Sequence, residues 1–166
     1  MSHVKISEQI GAPVEDVFAY VDDHTNTIKY MKNLTKWAPA GSKTHGKGAK
    51  FQVAMKAGPL TLASIVDITT WTDGRAIGWT SIEGFKQKGK WTFTSVGAGT
   101  EATFEMDFEL PGGFAGRLLA RAAEPIVHSN IAQSVKNLKS HMETAVTAPA
   151  ARTSTAPKRG NKPPAR

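Results

Sequence analysis

PGGFAGRLLARAAEPIVHSNIAQSVKNLKSHMET, residues Pro111–Thr144, closes the patterned part of the chain. Pro111, Gly112 and Gly113 stop whatever precedes them. From Phe114 onward helix formers dominate, with one proline among them. Unbroken, about 30 residues of helix would span roughly 45 Å. In a chain of 166 residues such an element crosses most of one domain.

The apolar residues of this segment fall into two sets. Phe114, Leu118, Ala122 and Ile126 are each four apart. Val127, Ile131, Val135, Leu138 and Met142 continue at spacings of four and three. Each set makes one stripe on a helix, but at ~100° per residue the two stripes are out of phase. Pro125 sits at the change, and a proline inside a helix removes a hydrogen bond and clashes with the preceding turn. The expectation is a short helix, a break near Pro125, and a longer helix to about Glu143. Gln133, Lys136, Asn137, Lys139 and Glu143 give the second piece a wet face. Its dry face needs a broad partner.

The preceding sequence supplies a sheet. Val4, Ile6 and Ile10 alternate with polar residues as a first strand. Pro13 with Glu15 and Asp16 suits a helix start, and Val14, Val17, Phe18 and Val21 continue at helical spacing. Asp23 or Thr25 can cap a second short helix through Ile28, Tyr30 and Met31. From Leu34 the period becomes two. Leu34–Trp37, Phe51–Met55, Leu60–Ile68, Ile77–Ser81, Lys90–Val96 and Ala102–Leu110 read as six strands separated by turn residues, among them Asp73-Gly74. Alternation of this kind gives an antiparallel sheet with one dry face. The order is β-α-α-β6-α, an α+β fold with a curved sheet around a long kinked C-terminal helix.

Composition narrows the function. There is no cysteine, which excludes disulfides, thiolate metal sites and a Cys nucleophile. The five His are scattered without ligand spacing, so no metal and no cofactor is expected. No apolar run reaches the ~20 residues of a membrane span, and the N-terminus lacks a secretion pattern. A cytoplasmic location is the default expectation. The net charge is +7, but Arg152, Lys158, Arg159, Lys162 and Arg166 lie beyond the last acid, leaving +2 for residues 1–143. The basic character belongs to the tail, so no nucleic-acid partner is expected. Residues 146–166, rich in Pro and Ala, read as a disordered basic tail after a domain spanning 1–145. The tail's basic residues suit weak contact with an anionic surface.

The strand running into APVEDVFAYVDD, the Gly-rich approach to the last helix, and Ser-x-x-Asn-Leu-Lys at Ser134–Lys139 resemble the helix-grip superfamily. These are the SRPBCC or START-like, Bet v 1-like proteins, with bacterial polyketide cyclase/dehydrase relatives closest. The resemblance covers residues 1 to about 144. It implies a cavity between sheet and C-terminal helix that takes a small hydrophobic or amphipathic ligand: a lipid, a polyketide or an aromatic metabolite. Leu62, Ser64, Val66, Trp79, Trp91, Phe93, Phe104, Met106 and Phe108 would line it from the sheet. Leu118, Ala122, Ile126, Ile131 and Val135 would line it from the helix, with Tyr30 and Met31 at the mouth. Ser64, Ser81, Tyr30, His128 and Ser129 are candidate polar anchors. Each apolar member is a core residue first, because interiors are filled to a density near ~0.75.

Two alternatives stay open. One is a cyclase or aromatase using a Tyr, His or Ser for proton transfer, although no acid–base pair stands out and no G-x-S-x-G elbow is present. The other is an interaction module acting through the tail or a sheet edge. Either a monomer or a homodimer is compatible with the sequence.

Overall fold

The computed structural model describes residues 1–112 and 116–155, with side chains as far as Ala145. Phe114 and the end of the basic tail lie outside the described residues, as do the side chains of 146–155.

Seven antiparallel strands form one sheet: β1 (Ser2–Ile10), β2 (Leu34–Pro39), β3 (Lys50–Ala57), β4 (Leu60–Thr72), β5 (Ala76–Gly84), β6 (Lys86–Val96) and β7 (Gly99–Glu109). The spatial order is β1-β7-β6-β5-β4-β3-β2. The last six strands are therefore a meander, and the first returns to its far edge. β1 pairs with β7 from Ser2 opposite Phe108 to Ile10 opposite Thr100. In β7 the alternation is complete: Thr100, Ala102, Phe104, Met106 and Phe108 are buried, and their neighbours are not. Register shifts interrupt β2 near Thr35 and β4 on either side of Val66–Ile68. Such bulges raise local twist and bend a strand, which curls the sheet. The Asp73-Gly74 turn forms as expected, with Gly74 at φ 71° and Arg75 N–H donating to Thr72 O.

Two short helices join β1 to β2. In α1 (Val14–Asp22) Pro13 precedes the first turn, Glu15 and Asp16 lie at its positive end, and Val17, Phe18 and Val21 are buried. Asp23 then caps a 3₁₀ turn, accepting from Thr25 N–H at 3.0 Å and from Thr25 Oγ1 at 2.6 Å. α2 (Thr27–Tyr30) comes next and buries Thr27 and Tyr30.

The long helix α3 (Gly116–Thr155) runs without interruption through Pro125, so the expected separation into two helices is not found. The physical reason is phase. One helix carries one stripe, and here the stripe is Ala123, Val127, Ile131, Val135, Leu138 and Met142, all buried. Losing the single amide hydrogen bond at Pro125 costs less than rotating this face off the sheet. Of the earlier apolar set, Leu118 is 75 % exposed and Ala122 is exposed as well, while Ile126 is partly buried against the core.

Polar side chains fix the second half of α3. Asn130 Nδ2–H donates to Lys56 O at 3.0 Å, and Asn130 Oδ1 accepts from Asn33 Nδ2 at 2.8 Å. Ser134 Oγ accepts from Lys32 N–H at 2.7 Å, and Asn137 Nδ2–H donates to Tyr30 O at 3.1 Å. These bonds hold the α2–β2 connection, where Asn33 has φ 61°. Glu143 Oε2 accepts from Gly11 N–H at 2.9 Å and pairs with Lys139 at 2.8 Å, tying the helix to the end of β1. Among the described residues, no side chain of α3 before Asn130 hydrogen-bonds to the sheet or to α1–α2.

Candidate functional site

The residues that α1 and α2 lay over the sheet are mostly aromatic. Tyr30 meets Trp91 edge-on at 6.3 Å and Tyr20 at 6.0 Å. Trp91 stacks on Phe93 at 5.7 Å and takes Phe104 edge-on at 5.1 Å, and Phe104 reaches Trp79 at 5.6 Å. Offset and edge-on pairs are the favoured arrangements of aromatic quadrupoles. They also leave gaps, because flat rings at steep angles do not tile.

One such gap is a partly open cavity of about 50 Å³. Its walls are Tyr30, Met31 and Trp37 on one side, with Trp79, Trp91 and Phe104 on the other. At ~10–15 Å³ for each water it holds roughly three to five. No described α3 residue lines it. Of the helix residues expected to line a space under α3, Ile131 and Val135 are buried in the core and do not border this cavity. The cavity lies under α1–α2. The reason is reach: α3 packs its small and branched residues flush on the sheet, whereas the short α2 hangs a single large ring, Tyr30, over a broad concave face.

A second space of about 40 Å³ adjoins the first and shares Val21, Thr27, Trp37, Ile68 and Ile77 with it. Its remaining wall is polar. Asp22 Oδ1 accepts from Trp71 Nε1–H at 2.8 Å, and Asp22 Oδ2 lies 2.6 Å from His45 Nε2. His45 stands edge-on to Trp71 at 5.0 Å, and His24 lies against Phe51 at 5.6 Å.

Five of the residues named from sequence line the first cavity: Tyr30, Met31, Trp79, Trp91 and Phe104. Val66, Phe93, Met106 and Phe108 are core side chains that touch neither space. Leu62 lines an open groove of about 520 Å³ between β4, β5 and the approach to α3, together with Phe85, Leu110 and Pro111. That groove is larger, but it opens to solvent and includes Lys86 and Glu109. Contact with apolar walls is what rewards burial of a ligand, so the smaller cavity, with its almost wholly apolar lining, is the better site. Ile126 touches the β3–β4 turn, where its Cδ1 stands 2.9 Å from the Cβ position of Gly58. Leu118 and Ala122 contribute to no wall of these spaces.

The anticipated polar anchors are largely engaged. Gln87 Nε2–H donates to Ser64 Oγ at 3.0 Å, Gln87 N–H donates to Ser81 Oγ at 2.9 Å, and Trp79 Nε1–H donates to Gln87 Oε1 at 3.0 Å. His128 packs edge-on to Phe108 at 6.0 Å and lines neither space, and Ser129 is exposed. Tyr30 is different. Burial drives its phenol far above the ordinary range, with side-chain hydrogen bonds to Trp91 and Thr27 as lesser influences in the other direction. It is a neutral hydroxyl at any physiological pH, able to donate a hydrogen bond. Asp22, His45, Trp37 and Gln87 escape sequence reading as site residues. His45 sits in a loop without periodicity, and only the fold brings it to Asp22. Trp37 reads as a strand residue, and nothing in its alternation marks it as a wall of the site.

Among the described residues, no group of three His, Asp or Glu side chains is placed to hold a metal ion. No described helix is long and apolar enough to cross a membrane.

Comparisons with known proteins agree with this architecture. No curated protein matches the chain significantly. Among solved structures, TTHA0849 from Thermus thermophilus superposes with a TM-score of 0.75 at 22 % identity, over 87 % of this chain and 99 % of that one. The Zhui aromatase/cyclase from Streptomyces sp. R1128 gives 0.71 at 17 % identity, over 87 % and 95 %. A START superfamily protein from Mycobacterium smegmatis gives 0.66 at 14 %, over 86 % and 98 %. At these identities the likeness is one of fold. Residues 1–143 match the sequence profile described as polyketide cyclase/dehydrase and lipid transport. With nearly the whole described domain inside that match, the chain belongs to the polyketide cyclase/dehydrase and lipid transport family, in the SRPBCC superfamily.

Proposed function

We propose that this protein binds a small hydrophobic or amphipathic molecule in the aromatic cavity beneath α1–α2. One observation carries the proposal. Tyr30, Trp79, Trp91 and Phe104 converge without closing the space between them. Side chains of this size are the ones that normally fill a core to organic-crystal density. Family membership supports the same reading. At about 50 Å³ the space is smaller than the ~150 Å³ cavity that takes one benzene ring, which disfavours a long acyl chain and requires the walls to yield even for a single ring. A larger ligand enters when α2 lifts and carries Tyr30 out of the space. Burying a ring there gains ~25 cal/mol per Å² of apolar surface.

The test is native mass spectrometry of protein from its own source, with solvent extraction of whatever is released, and then thermal shift with a panel of ring-sized and acyl compounds. Ring-sized compounds are expected to raise the melting temperature. Ile77→Phe, which enlarges a shared wall side chain into the space, is expected to remove the shift. A clean apo mass together with no shift across the panel would overturn the proposal.

A further inference from the structure

We propose that the junction of α2 and β2 docks on a membrane surface of anionic lipid, with a group of lysines against the headgroups and Ile28 inserted among them. Docking there does not depend on what fills the cavity.

The sequence from His24 to Val66 holds seven lysines, no arginine and no aspartate or glutamate. That segment carries +7, while residues 1–143 as a whole carry +2, so the rest of the domain carries −5. Charge divided in this way turns one side of a molecule toward an anion. The fold gathers the lysines. Lys56 N–H donates to Asn33 O at 2.9 Å, and Lys32 N–H donates to Ser134 Oγ at 2.7 Å, so β3, the α2–β2 connection and α3 meet at one point. Lys36 lies opposite Ala54, two residues before Lys56, at the edge of the sheet. Lys29, Lys32, Lys36 and Lys56 are all exposed, as is Lys136, two residues beyond Ser134. Among the described residues none of these five forms an ion pair. Lys29 donates to the neutral Asn26 Oδ1 at 3.0 Å. Like charges set around one edge repel one another, and the fold holds no acid there to offset them.

The residue types decide the kind of partner. Protein interfaces favour arginine and aromatic side chains and are poor in lysine. Nucleic acid is met by arginine forks and stacking rings. Here arginine is absent, and the exposed apolar residue is aliphatic: Ile28, 49 % exposed, beside Lys29. Compact ammonium groups suit the diffuse field of a lipid surface, and an aliphatic side chain among them suits insertion between headgroups. Tyr30 and Met31, immediately after, wall the cavity, so docking sets the cavity's cover against the membrane.

The experiment sediments the full-length protein with vesicles of phosphatidylcholine alone, and of phosphatidylcholine with about one third phosphatidylserine. Binding is expected to the second alone and should fall as salt is raised. Lys32→Gln/Lys36→Gln/Lys56→Gln is expected to weaken it about a hundredfold, as the loss of three headgroup contacts implies. Lys86→Gln/Lys88→Gln/Lys90→Gln makes the same charge change on β6 and should weaken it less than about tenfold. Ile28→Ser, which changes no charge, should weaken it about fivefold. Every substituted side chain is exposed, so melting temperatures should match that of the natural protein. If the first triple variant does not fold, Lys29→Gln/Lys136→Gln replaces it, with an expected loss of about tenfold. No preference for phosphatidylserine, or equal losses from the two triple variants, overturns the proposal. Equally tight binding to soluble polyglutamate, undiminished by Ile28→Ser, overturns it in favour of an acidic protein partner.

Discussion

Tyr30 shows how one side chain can be both core and site. Its ring is fully enclosed, its carbonyl is held by Asn137, and its hydroxyl faces Thr27 and Trp91. Burial raises the folded phenol above its unfolded value near ~10. The neutral form is therefore the one that folding favours. Tyr30 contributes stability that is fully present below pH ~10 and is lost as pH climbs above it. Tyr20 is raised as well, by burial and then by Asp23, so both tyrosines should resist ionisation. An ultraviolet titration of the folded protein is expected to show both phenols ionising above the ordinary tyrosine range, with Tyr30 the later of the two. Appearance of one normal tyrosine in the folded state would contradict the burial of Tyr30 or the shift at Tyr20. Gly89 is a second informative residue. A Cβ there would stand 2.6 Å from the Trp79 ring, on the strand directly opposite. Gly89→Ala should therefore cost about 1–3 kcal/mol by overpacking, measured by urea denaturation, and should disturb the Trp79 fluorescence. Neither Gly89 nor the gap beside Tyr30 is legible in the sequence, because both depend on which rings meet across strands.

At the scale of elements, the strands are legible in the sequence and the long helix only in part. Period two survives in β7 because each residue there faces either the core or water, with nothing else competing. In α3 the sequence offers two stripes, and a local reading weights them equally. The fold does not. Ala123 is buried where the spacing points to Ala122, since the stripe set by Val127, Ile131 and Val135 extends backwards across Pro125. Local rules make the proline a boundary, whereas tertiary packing keeps the helix whole. The polar clips are half legible: Ser134 and Asn137 belong to the pattern that suggests the family, but their partners on the α2–β2 connection are visible only in space. Glu143 provides a test at this scale. Lys139 and the Gly11 amide both hold its carboxyl below the ordinary range. A depressed carboxyl contributes stability above its unfolded pKa and loses it as pH falls through the folded value. Glu143→Gln is expected to destabilise the protein by about 0.5 kcal/mol near neutrality, as for an exposed helical ion pair. That difference should shrink as pH falls through the carboxyl's depressed folded value. Equal melting temperatures at pH 7 would show that the tie to β1 is energetically idle.

At the scale of the molecule, the location of the empty space is what sequence could not supply. It lists inward-facing residues without saying which of them touch. Fourteen of the sixteen cavity candidates are buried or half-buried, yet five of them border the cavity, and none of those five comes from α3. The curvature that separates α2 from the sheet arises from bulges in β2 and β4, and no residue in those strands announces a bulge. Charge is better placed by sequence, since the basic excess lies beyond the last buried side chain described, Met142.

The pairing of β1 with β7 also sets the order of events in time. Ile6 lies opposite Phe104, nearly a hundred residues further along. The first strand made is thus the last that can find its neighbour. Until β7 exists, Val4 and Ile10 have no sheet to join, while β2 through β6 can zip as successive hairpins. Loops of this length are costly to close before any contact rewards them, and topologies rich in them fold in milliseconds to seconds rather than microseconds. A nascent chain of this protein carries β1, with Val4 and Ile10 uncovered, until β7 is made, and it is during that interval that these strands are most exposed to misassociation.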